Sequence, residues 1–153
     1  MAVDNPVKVI RYGRHEFTTH EAEANGAVTA GDIVVEENGG ATVARATAAT
    51  SETQYFIAVD DRERGMELQD DYADGEQVKY VAASGGALNL LLADGETMDP
   101  TSETRLTLSA TAGKVKVIDT GGGETDTDVL AIADTESTVA ASGAAEPVPT
   151  KVV

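Results

Sequence analysis

The chain has 153 residues, with 27 Asp and Glu against 11 Lys and Arg, a formal net charge of −16, and neither Cys nor Trp. The lack of Cys excludes disulfides, thiol catalysis and thiolate metal sites. The excess of negative charge argues against direct nucleic-acid binding, which needs Lys and Arg to neutralise phosphates. The longest largely aliphatic stretch, residues 88–93, is too short to span a bilayer, and residues 1–10 lack the apolar region of a signal peptide. We therefore expect one domain without a membrane or nucleic-acid partner.

The charge balance also indicates the salt concentration at which the protein works. Only five residues are Lys, and Ala, Val, Thr and Gly are abundant. A charge this large destabilises a fold by self-repulsion in dilute buffer. At about 1 M salt the Debye length falls to roughly 3 Å, and the repulsion is largely screened. The composition predicts a halophilic protein.

Residues 1–20 differ from the rest of the chain because they are relatively rich in cations. Lys8, Arg11 and Arg14 lie among apolar residues, and the alternation over residues 7–9 favours an edge strand that Pro6 would limit upstream. Two interpretations remain open. The segment is either the first strand of the core or an extended arm that adds a strand to the sheet edge of a partner.

The two histidines do not predict a metal site. His15 and His20 are five residues apart, whereas the zinc-protease motif needs a spacing of four to place both on one helical face. No third ligand is suggested nearby, so we expect a connecting strand or loop.

Residues 29–61 show the clearest β pattern. A turn at Gly31-Asp32 precedes the β-branched run 33–35, and Asn38-Gly39-Gly40 is a strong reversal signal before the alternating residues 42–46. The apolar run 55–59 then ends in Asp. A similar order recurs from Asp94 to Asp134, so we predict two related β-units, residues 26–61 and 94–134, within a β-domain of residues 21–135.

Two acidic stretches resemble cation-binding loops only superficially. Residues 70–76 begin like a calcium loop, but Tyr72 occupies its third position and Val81 its twelfth, where oxygen ligands are required. Glu124, Asp126 and Asp128 alternate after a Gly triplet, as acids easily do in so acidic a chain. We predict no metal, no cofactor and no catalytic residue, because no nucleophile lies in a recognisable setting with a base.

The remaining chain predicts short strands separated by Gly turns. Residues 77–82 and 87–92 form a hairpin around Gly85-Gly86. Residues 136–153 are expected to form a flexible C-terminal tail, because Pro147-Val148-Pro149 should not fit an interior strand. No stretch has a long helical period. The predicted class is all-β, a small barrel or sandwich of short antiparallel strands.

Two of these segments resemble a known family. The run Ala30-Gly31-Asp32-Ile33-Val34-Val35 with the later strand at 55–59, and the segment 75–81 followed by Gly85-Gly86, resemble the cement or head-decoration proteins of tailed viruses. The resemblance covers about residues 26–96. It implies a structural virion protein on the outer capsid surface, with the major capsid protein as partner and a homotrimer as the assembled form. Together with the charge, it implies a virus of a halophilic archaeon.

Within that resemblance, the cationic N-terminal stretch is the candidate capsid contact, because the rest of the chain is strongly acidic. The predicted contact residues are Pro6, Val7, Lys8, Val9, Ile10, Arg11, Tyr12 and Arg14. Two alternatives stay open: a tail-tube or baseplate β-protein, and a host-surface or carbohydrate-binding β-module. No enzymatic activity is expected.

Overall fold

Two closed five-stranded β-barrels in tandem form the computed structural model, which describes residues 8–11, 16–47, 54–82 and 84–153. The all-β prediction is confirmed. Helical structure in these residues is limited to single 3₁₀ turns such as Asn38–Gly40. No helix in the described ranges has the length and apolar character needed to cross a membrane.

The first unit contains seven strands. Their bounds are β1 Thr19–Ala24, β2 Val28–Thr29, β3 Ile33–Glu37, β4 Thr42–Arg45, β5 Tyr55–Ala58, β6 Asp71–Tyr72 and β7 Gln77–Val81. The barrel order is β1-β4-β3-β5-β7, and β2 pairs with β6 in a separate two-stranded ribbon. All neighbours are antiparallel except β1 and β4.

The second unit repeats this topology. Its strands are β8 Ala87–Leu92, β9 Thr97–Met98, β10 Arg105–Leu108, β11 Val115–Val117, β12 Ala131–Ala133, β13 Val139–Ala140 and β14 Glu146–Val152. The barrel order is β10-β11-β8-β14-β12, β9 pairs with β13, and the single parallel pair is β8 with β11. Each strand of the first unit therefore corresponds to the strand seven places later.

The strand registers also correspond between the two units. Buried cross-strand pairs of the first barrel recur in the second as follows: Ala22–Val78 as Leu90–Val148, Val34–Phe56 as Leu106–Ala131, and Ala58–Tyr80 as Ala133–Thr150. The segments 26–61 and 94–134 contain only the middle strands of each unit, because the first and last barrel strands lie outside them. Duplication of the sequence stays a prediction.

The hydrophobic core has two parts. One fills the first barrel around Val34, Phe56 and Tyr80, and the larger one fills the second barrel and continues to the outer face of the first. β3 and β5 are therefore buried on both faces, which is why their sequences are continuous apolar runs instead of alternating ones. All six residues of β8 are buried for the same reason.

The C-terminal residues correct the prediction of a flexible tail. β14 is one of the five strands of the second barrel and lies between β8 and β12, and Val148 is fully buried. Val152 donates its N–H to Gly86 on the β8 side, whereas the carbonyl of Pro149 accepts from Asp134 on the β12 side. Backbone groups alternate in direction along a strand, so those of Pro147 and Pro149 both point toward the β12 side. The missing N–H groups of these prolines therefore lie where the pairing with β12 ends. An interior strand therefore tolerates them.

This placement gives a test of the C-terminal strand. We expect Val148→Ala to lower the free energy of unfolding by about 2 kcal/mol, since it removes buried methyl groups from a filled barrel. Lys151→Ala, at an exposed position of the same strand, should change it by less than about 0.5 kcal/mol. Urea denaturation followed by circular dichroism measures both. A tail outside the fold would show no difference between the two variants.

Candidate functional site

The turn at Gly31 and Asp32 lies where the two barrels meet. Gly31 has φ of 105°, and its N–H donates to the carbonyl of Ala58 at 2.9 Å. A Cβ at this position would lie 2.9 Å from Leu68 Cδ1 and 3.0 Å from Leu91 Cγ. Both the positive φ and the close packing against the second barrel therefore require glycine here.

The carboxylate of Asp32 is fully buried at this junction. Its Oδ2 accepts from the N–H of Thr29 at 2.8 Å and from Arg45 Nε at 2.6 Å, and its Oδ1 accepts from the ammonium of Lys114. Arg45 Nη2 also donates to Thr29 Oγ1 at 2.6 Å. We call Asp32, Arg45 and Lys114 the junction triad. A buried carboxylate needs such partners, because its desolvation is otherwise very costly.

The second barrel supplies its part of the triad from the β10–β11 turn. The N–H of Gly113 donates to Ala46 and its carbonyl accepts from Ile33, both at 2.9 Å. A Cβ on Gly113 would lie 2.7 Å from Asp32 Cγ. The turn thus inserts against the first barrel through backbone hydrogen bonds, and Lys114 follows it directly.

Residues 8–11, which we call the N-terminal segment, form a second connection between the barrels. Val9 donates its N–H to Asp60 Oδ1 at 2.9 Å in the first barrel, and its carbonyl accepts from the N–H of Asn89 at 2.7 Å in the second. Asn89 Nδ2 donates to the carbonyl of Lys8 at 2.9 Å. Ile10 forms an antiparallel bridge with Leu88.

Arg11 completes this connection on the second barrel. Its N–H donates to the carbonyl of Ala87 at 3.1 Å, and its guanidinium contacts Asp134 Oδ2 at 2.9 Å and the carbonyl of Thr150 at 3.2 Å. The segment is therefore a short added strand on the part of β8 that β11 does not reach, since β11 pairs with β8 only at Leu92.

This geometry decides where the predicted contact residues lie. Val9 and Ile10 are 0% and 2% exposed, so their side chains belong to the core and offer no surface to a partner. Lys8 is exposed and Arg11 is partly buried. Pro6, Val7, Tyr12 and Arg14 lie outside the described residues. Of the two interpretations of residues 8–11, the structure favours a strand of the chain's own core.

An aromatic group lies in and beside the first barrel. The ring of His20 stacks on that of Tyr80 at 5.5 Å, and Phe56 meets Tyr80 edge-on at 5.3 Å. Tyr80 donates its hydroxyl to Glu36 Oε1 at 2.8 Å, and burial together with this carboxylate raises the pKa of Tyr80 to about 12. The phenol is therefore neutral at physiological pH and acts as a hydrogen-bond donor.

The acidic stretches hold their carboxylates in turns. Asp128 Oδ2 accepts from the N–H of Thr125 at 2.8 Å, Asp126 pairs with Arg105, and Glu124 Oε1 lies 2.7 Å from Lys116 Nζ. Asp74 accepts from the N–H of Gly26 at 2.8 Å. Across the described ranges, no group of three or more acidic or His side chains is arranged to hold a metal ion.

Comparison with protein-family models gave no match, and comparison with curated proteins gave none either. The class that the fold itself defines is an all-β protein of two fused barrels.

The junction triad gives a matched pair of variants. Lys114→Met should lower the free energy of unfolding by about 3 kcal/mol, because it removes one partner of a buried carboxylate. Lys116→Met, two residues later, removes a more exposed ion pair and should cost less than about 1 kcal/mol. Urea denaturation at low salt and at about 2 M NaCl measures both, and the Lys114 effect should persist at high salt because buried pairs are weakly screened. Equal effects of the two variants would contradict the central role of the triad.

Proposed function

We propose that the chain is a structural, non-enzymatic virion protein that decorates and stabilises the outer surface of a tailed-virus capsid. The observation that best supports this proposal is that its buried charged side chains make structural contacts. Asp32 and Lys114 pair with each other across the two barrels, and Asp60 holds the N-terminal segment that bridges them. These buried charges form structural connections between the barrels, which favours a mechanical role.

The resemblance to head-decoration proteins adds to this proposal. Its turn, Gly31 followed by Asp32, is the turn that fixes the barrel junction. Its later segment, residues 75–81, covers β7, which closes the first barrel. The residues that suggest the family are thus the residues that hold the body together.

The distribution of charge supports a position outside the shell. Residues 19–81 carry fourteen carboxylates against four cations, and residues 87–152 carry eleven against four. Packaged DNA would repel such a surface, whereas an outer position avoids that repulsion. Many copies on a lattice need little affinity each, because the array supplies multivalency.

The partner in this proposal is the major capsid protein, and the assembled form is a homotrimer. Because Val9 and Ile10 are buried, capsid contact by the N-terminal stretch would use exposed Lys8 and the residues outside the described ranges. A carbohydrate-binding module is less well supported, since in the described part of the chain Phe56, Tyr72 and Tyr80 are buried, and Phe17 and Tyr55 are half-buried. A tail-tube or baseplate protein shares the β-class, and its position on the particle separates it from a decoration protein.

Imaging of the virus that encodes the chain tests the proposal. Electron cryomicroscopy of purified particles, with and without the gene, should show density on the outer capsid surface at three-fold positions that is lost in the deletion. Added purified protein should restore this density. Density in rings along the tail, or particles unchanged by the deletion, would contradict capsid decoration.

The halophilic part of the proposal predicts a salt-dependent stability. Raising NaCl from about 0.1 M to 2 M should raise the melting temperature, because screening removes self-repulsion in a chain of charge −16. A variant with Asp94→Asn, Glu136→Gln and Glu146→Gln changes three exposed carboxylates and should show a smaller rise. Differential scanning calorimetry measures both. A melting temperature that stays constant or falls with NaCl would contradict the halophilic part of the proposal.

A further inference from the structure

The groove that holds the N-terminal segment is built as an acceptor for an extended strand. One wall is the backbone of β8, which donates from Asn89 N–H and accepts at Ala87 carbonyl. The other wall contributes the carboxylate of Asp60, whose side chain is 1% exposed. Two apolar side chains, those of Val9 and Ile10, fill the space between the barrels.

Neither barrel needs the segment in order to close. The ladders β1-β4-β3-β5-β7 and β10-β11-β8-β14-β12 are complete without it, and Ile10 contributes only an isolated bridge. The segment can therefore leave without opening a ladder. An empty groove would nevertheless expose core surface and remove the hydrogen bond from Val9 N–H to Asp60 and the two that Asn89 donates to the segment. Replacement by an equivalent strand is favoured over vacancy.

We propose that this groove also accepts the N-terminal segment of a second copy of the chain, so that neighbouring copies are linked by strand exchange. The contacts that hold the segment are backbone hydrogen bonds, two apolar side chains and the Arg11–Asp134 pair. Each of these contacts forms equally well whichever copy supplies the strand.

Charge complementarity identifies a second copy as the occupant. Residues 1–18 contain three cations and two carboxylates, whereas the two barrel units have formal charges of −10 and −7. The bodies of two copies repel each other, and the N-terminal region is the part of the sequence with the opposite sign. It is therefore the element best suited to reach the groove of a neighbour. This inference does not depend on capsid decoration.

Disulfide trapping tests the exchange, because the natural chain has no Cys. Ile10 and Leu88 are bridge partners whose flanking residues carry the hydrogen bonds, so they form a close, non-hydrogen-bonded antiparallel pair that suits a disulfide. Full-length Ile10→Cys and Leu88→Cys variants are refolded together at high salt and then oxidised. Non-reducing gels should show about tenfold more covalent dimer than either variant alone or Ile10→Cys mixed with Glu136→Cys.

A second pair of cysteine variants keeps the test valid if the substitutions at Ile10 and Leu88 prevent folding. Arg11→Cys and Ala87→Cys lie on the neighbouring row and keep both Ile10 and Leu88. In each pair the double variant reports the groove contact itself, by closing a disulfide within one chain. Double variants that close while both mixtures stay at the background level would overturn the exchange. Failure of both double variants and both mixtures would overturn it as well, because the groove would not hold the segment at all.

Discussion

Burial of one carboxylate between two barrels is the constraint on which the rest of the structure depends. Asp32 is shielded from water by the second barrel, so that barrel must supply a cation, and Lys114 does so beside the near contact of Gly113. Arg45 adds the partner from the first barrel. Each member restricts the position of the others, because a displaced cation would leave a buried charge unpaired. The relative placement of the barrels is thus fixed by electrostatics as well as by apolar packing.

The N-terminal segment serves the same purpose by other means. It uses backbone hydrogen bonds and two apolar side chains to bridge the barrels, and only Asp60 contributes a buried charge. The junction triad and the segment are held by residues distant in sequence, since Asp32 and Lys114 are 82 positions apart and Val9 and Asp60 are 51 apart. A body with two separate connections resists hinge motion between its halves, a property that the proposed decorating role would use.

Local patterns were sufficient to predict much of the fold. The Gly-Asp turn, the Asn-Gly-Gly reversal and the apolar runs marked β3, β4, β5 and their counterparts, because each depends on neighbours in sequence. The prolines of β14 led to the wrong prediction of a flexible tail. Whether a strand tolerates proline depends on which of its two sides has a hydrogen-bonded neighbour, and the sequence does not reveal that. The pairing of Asp32 with Lys114 could not be predicted for a related reason. The sequence around each residue contains no pattern that indicates a contact with the other barrel. The burial of Val9 and Ile10 was open to two interpretations, and tertiary packing decided between them.

The prolines of β14 have a consequence for molecules crowded side by side. Beyond the end of β12, the flank of β14 at Pro147 and Pro149 has no amide hydrogens to offer. A strand from a neighbouring molecule would find no N–H donor at Pro147 or Pro149, and the carbonyl of Pro149 already accepts from Asp134, so a sheet could not extend across molecules here. In a lattice that packs identical subunits at high density, such a blunted flank would discourage fibrous aggregation while leaving specific association unaffected.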